Sequence, residues 1–68
     1  MKEKVYDMYG SELEKGDHVI WVDPETKTRA AYEIYEEPTE EMVKLWGKYG
    51  ECEALPTECY LVKTKRAK

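Results

Sequence analysis

Phenylalanine is absent from this sequence, histidine occurs once, cysteine twice, and no apolar stretch approaches the length of a membrane span. Each shortage excludes something. Without a run of about 18 apolar residues there is no candidate transmembrane helix. The opening Met1-Lys2-Glu3-Lys4-Val5 carries charge where a secretory signal carries its hydrophobic stretch, so the expected location is the cytoplasm. Cys52 and Cys59 are too few to staple a small secreted scaffold, and in a reducing compartment both are expected as free thiols. A zinc site from Cys52, Cys59 and His18 would lack a fourth soft ligand, and six residues part the thiols where zinc sites use two to four. Cys52 lies between Glu51 and Glu53, and adjacent acids oppose the thiolate that nucleophilic catalysis needs. There is no Gly-rich phosphate loop and no G-x-S-x-G, so nucleotide and serine chemistry find no support. The expectation is a protein that is not an enzyme and uses no metal or other cofactor.

What the chain does hold is charge, 38% of its 68 residues, against 41% hydrophobic residues, enough for one small core and one domain. The charge is uneven. Residues 63–68 hold four of the eleven bases (Lys63, Lys65, Arg66, Lys68) and no acid, so residues 1–62 carry seven bases against fifteen acids, a net of −8. This divides the chain into an acidic domain over 1–62 and a basic tail over 63–68, expected to be disordered. An acidic body repels phosphate and gains no counterion release, which leaves the tail as the one segment suited to nucleic acid. Glu36, Glu37, Glu40 and Glu41 crowd a proline turn without the Asp-rich, Gly-centred spacing of a calcium loop, and are expected as a solvated face.

Turn-forming residues recur every eight to twelve positions: Tyr9-Gly10-Ser11, Lys15-Gly16-Asp17, Asp23-Pro24-Glu25, Glu37-Pro38-Thr39 and Gly47 to Gly50. That spacing suits a small all-β domain. Between the turns, residues 18–22 (His-Val-Ile-Trp-Val) are β-branched and aromatic, residues 29–36 alternate with Tyr32 and Ile34 on one face, and residues 51–55 alternate with Cys52 and Ala54 inward. Residues 38–47 support two readings. Thr39 as N-cap, acids in the first turn and Gly47 as a stop suit a short helix, whereas the following Gly47-Lys48-Tyr49-Gly50 suits a hairpin returning Met42–Trp46 onto 51–55. A helix of barely two turns is marginal, which favours the strand. Pro56 opens a single helical turn, and residues 59–62 form a closing strand. The expected buried residues are Leu13, Val19, Trp21, Tyr32, Ile34, Val43, Leu45, Ala54 and Leu61, with His18 on the opposite face as a rim residue.

The order of these features resembles an SH3-like barrel. In such barrels a diverging turn carries one inward Leu and a Gly-Asp pair launches the next strand as G-D-x-V-x-W, positions held here by Leu13, Gly16, Asp17, Val19 and Trp21. The stretch Leu55-Pro56-Thr57-Glu58-Cys59-Tyr60-Leu61-Val62 is similar to the proline-led turn and last strand that close the barrel. The resemblance spans Val5 to Val62 and implies about five antiparallel strands with a short helical turn before the last. Val5, Tyr6 and Asp7 echo the L-Y-D positions of the A-L-Y-D-Y motif of eukaryotic SH3 domains, and Pro56 and Tyr60 echo P-S-N-Y with the Tyr one residue late. The long acidic loop and the adjacent Trp pair of those domains are missing, and the chain looks more similar to short SH3-like proteins of bacteria and their phages or mobile elements. Many functions share this fold.

Six Tyr and two Trp with no Phe give every ring a polar edge, which suits either a wet rim or a recognition surface. Tyr6, Tyr9, Trp46, Tyr49 and Tyr60 fall near loops or strand ends and are the candidate binding residues. Tyr and Trp bring large contact area at low entropic cost. The expected function is a noncatalytic module that docks a protein or peptide segment on an aromatic rim. The alternative is a nucleic-acid-associated accessory acting through the basic tail.

Overall fold

The computed structural model describes residues 4–63. It is an all-β structure: β1 (Val5–Tyr6), β2 (Glu12–Leu13), β3 (His18–Val22), β4 (Arg29–Ile34), β5 (Val43–Gly47), β6 (Gly50–Ala54), a 3₁₀ turn (Pro56–Glu58) and β7 (Cys59–Lys63). The strands form two antiparallel sheets. β1 and β2 make a two-stranded ribbon, and the other five run in the order β6-β5-β4-β3-β7. This larger sheet is open, with β6 and β7 as its ends. Lys63, expected in the tail, is the last residue of β7, and the remaining tail residues, 64–68, lie outside the described residues. Among the described residues, no helix is long and apolar enough to cross a membrane.

One face of the large sheet and the ribbon enclose the core. Val5, Leu13, Val19, Tyr32, Ile34, Val43, Leu45, Ala54 and Cys59 are buried there. Period-two alternation explains the set: Tyr32 and Ile34 point inward from β4 as Val43 and Leu45 do from β5, while Glu33, Lys44 and Trp46 take the other face. Trp21 and Leu61, expected in the interior, are half-buried and pack against the core from its margin. The indole explains its own position, because its N–H needs an acceptor: Trp21 Nε1 donates to Glu58 Oε1 at 3.1 Å, with the ring edge-on to Tyr32 at 6.1 Å. The fully enclosed side chain on β7 is Cys59.

Residues 43–47 are a strand. The capping chemistry of Thr39 is present but closes a turn: Thr39 Oγ1 accepts from the N–H groups of Glu41 and Met42, and the Thr39 and Met42 backbones bond each other. Val43 and Leu45 then enter the core on alternate positions.

Candidate functional site

The turn after β1 is set by Asp7. Its side chain is buried, Oδ1 accepts from the N–H groups of Tyr9 and Ser11 at 2.8 Å each, and Oδ2 accepts from Leu61 N–H on β7 at 2.6 Å. One carboxylate thereby fixes the turn and ties it to the end strand of the other sheet. The N–H of Met8 donates to the Cys59 carbonyl at 3.0 Å and adds a second tie. Gly10, at φ 87°, completes the reversal. On this platform Tyr9 stands 75% exposed, its ring centroid 5.7 Å from that of half-buried Tyr60 and inclined by 55°. Tyr6 is exposed on the neighbouring strand β1.

The five candidate rings are carried by different parts of the strand order. Tyr9 and Tyr60 meet beside β7, whereas Trp46 and Tyr49, 53% and 73% exposed, belong to the β5–β6 hairpin at the other end of the sheet. Lys48 lies over the Tyr49 ring at 5.8 Å. His18 is on the solvent face with Glu33 and Trp46, around a shallow depression that Ala31, Gly47 and Lys48 also line. Asp7, the residue that organises the aromatic turn, carried no role in the sequence reading beyond its place in an L-Y-D echo. Its signal was local: an Asp two residues before Tyr9 and four before Ser11 is spaced to accept from both amides.

The thiols are held in their neutral form. Burial, reinforced by Glu58, pushes Cys59 up to about 12, and its Sγ lies 3.5 Å from the Leu55 carbonyl. Burial also raises Cys52, which is partly offset by a hydrogen bond with Tyr32. Neither setting activates a nucleophile at neutral pH. Among the described residues no three His, Cys, Asp or Glu side chains converge as a metal site. Compared with known proteins, the chain matches no family model, no curated protein and no solved structure.

Proposed function

We propose that the chain is a noncatalytic protein-interaction module of SH3-like build, acting in the cytoplasm and docking a neutral or basic segment of a partner protein against Tyr9, Tyr60 and Tyr6. The element order supports the SH3-like plan: a ribbon and turn carrying buried Leu13, a Gly16-Asp17 launch into β3, a meander, and a proline-led 3₁₀ turn into a last strand that pairs with β3. The ties from Asp7 and Met8 to β7 bring the ribbon against the sheet end, where a barrel would close.

The observation that carries the functional reading is the Tyr9–Tyr60 pair. An aromatic ring left 75% exposed contributes little to folding, yet here it rests on a turn held by three hydrogen bonds to one buried carboxylate. A rigid, exposed ring loses little entropy when a partner covers it. The net charge of −8 over residues 1–62 disfavours acidic partners. The test is selection of binding peptides from a displayed random library on the folded chain, followed by affinities for Tyr9→Ala and Tyr6→Ala. A fall of about fivefold or more with an unchanged melting temperature is expected, the behaviour of an interface residue. Peptides that bind both variants as tightly as the parent would refute the reading.

A further inference from the structure

The two ends of the five-stranded sheet are finished differently. At β7 two of the outward backbone groups are covered, the Cys59 carbonyl by Met8 N–H and the Leu61 N–H by Asp7 Oδ2. At β6 they are open. Gly47 and Gly50 face each other across the two-residue turn Lys48-Tyr49, so the pairs Gly47/Gly50, Leu45/Cys52 and Val43/Ala54 exchange the ladder hydrogen bonds. The donation from Tyr35 N–H to the Lys44 carbonyl at 3.2 Å fits that alternation, with the other set of β5 groups turned toward β4. The N–H and C=O groups of Glu51 and Glu53 consequently point away from β5, and among the described residues no strand lies beyond β6. An uncovered strand edge is a template for another strand.

The side chains along this edge specify what can pair there. Glu51 and Glu53 are both exposed and project from the same face. Lys44, opposite Glu53 on β5, is paired with Glu36 at 3.4 Å, and Glu51 Oε1 accepts from the Tyr35 hydroxyl at 3.5 Å. Two shallow depressions flank the strand and share Glu53: one is lined by Tyr35, Glu51, Cys52 and Glu53, the other by Glu41, Met42, Ala54, Leu55 and Glu58 with it. A second copy pairing edge to edge in the antiparallel sense would set Glu51 and Glu53 against their own counterparts, an arrangement that like charges oppose. A strand with basic residues at every second position meets opposite charge at each step.

We propose that the β6 edge accepts an extended segment of a partner protein as a sixth strand, with Lys or Arg at alternating positions opposite Glu51 and Glu53. This site is at the far end of the sheet from Tyr9 and Tyr60 and does not depend on the reading of those rings. The probe is the blocked hexapeptide acetyl-Thr-Val-Lys-Val-Lys-Val-amide, titrated into the isotopically labelled chain and followed by amide chemical shifts and hydrogen exchange. The expected result is a shift at the Glu51 and Glu53 amides, slowed exchange there, and no change in affinity for Tyr9→Ala. Methylating the two Lys backbone nitrogens, which removes the two strand hydrogen bonds the Lys residues donate and keeps the charges, should weaken binding at least tenfold. The double variant Glu51→Lys, Glu53→Lys should instead prefer the analogue carrying Glu in place of Lys. Equal binding of the methylated peptide, shifts confined to the Tyr9–Tyr60 surface, or no shift at millimolar peptide would each overturn the proposal.

Discussion

Asp7 shows how much one side chain can organise when it is buried and fully used. A carboxylate removed from water is costly unless its oxygens are bonded, and here three backbone N–H groups fill that need from two separate parts of the chain. Asp7→Ala strips the acceptor from all three donors, and the expected destabilisation is about 3 kcal/mol in urea denaturation. Asp7→Asn separates the two halves of the role. Its oxygen can serve Tyr9 and Ser11, but its NH₂ would face the Leu61 N–H, so a loss of roughly half that size is expected. Equal stability of the parent and both variants would show that the turn holds without the carboxylate. Asp17 is a second buried acid, accepting from Glu14 N–H at 2.9 Å where the Gly-Asp pair starts β3. The sequence marked the Gly-Asp pair through its likeness to SH3-like barrels, but a motif names positions and not bonds.

At the scale of elements, strands that alternate cleanly were legible and strand edges were not. Residues 18–22 and 29–36 read directly as strands, the second ending two residues early at Ile34, because a two-residue period admits one inward set, and Val19, Tyr32 and Ile34 are that set. Thr39 and its acids suited a helix as well as a turn. What settles them is tertiary: Val43 and Leu45 reach the core on alternate residues, which a helix would not allow. Trp21 was misplaced toward the interior because periodicity records the face and not the depth, and the need of its N–H for Glu58 holds it at the margin. Gly47, expected as the stop of a helix or the start of a hairpin turn, has a sharper role in the sheet. It sits opposite Tyr32, and a Cβ placed on it would come within 2.6 Å of Tyr32 Cδ1 and 2.9 Å of the Ala31 carbonyl oxygen. Gly47→Ala must therefore displace the buried ring or the backbone of β4, with an expected cost of about 1–3 kcal/mol by thermal or chemical unfolding. Gly10 has no neighbour within 4 Å of such a Cβ, so the same change there tests the positive φ alone and should cost about 1 kcal/mol. If Gly47→Ala proves the milder of the two, the close packing of Tyr32 across Gly47 is not a constraint.

For the whole molecule, the all-β class was legible from turn spacing, while the gathering of exposed rings at opposite ends of the sheet was not, since it depends on the strand order β6-β5-β4-β3-β7 and no local pattern encodes which strand ends the sheet. The protonation of the molecule as a whole has a direction too. Among the described residues, the groups with a shifted pKa are all shifted upward: Cys59 and Cys52 by burial, Tyr32 and Tyr35 by burial with help from Cys52 and Glu51 respectively, and Lys44 by Glu36. A group that holds its proton more tightly in the folded state contributes stability that is complete below its unfolded pKa and is lost as pH rises through its folded one. For Cys59 that window runs from the ordinary thiol value of 9.0 to about 12. The expected outcome is a melting temperature that falls as pH rises above 9. Cys59→Ala removes the largest contributor while leaving a small cavity: its melting temperature should lie below the parent's at pH 7, and the gap should narrow as pH rises. A gap that stays constant from pH 7 to 11 would show that the buried thiol does not govern alkaline stability, and would leave Tyr32 as the buried group to examine.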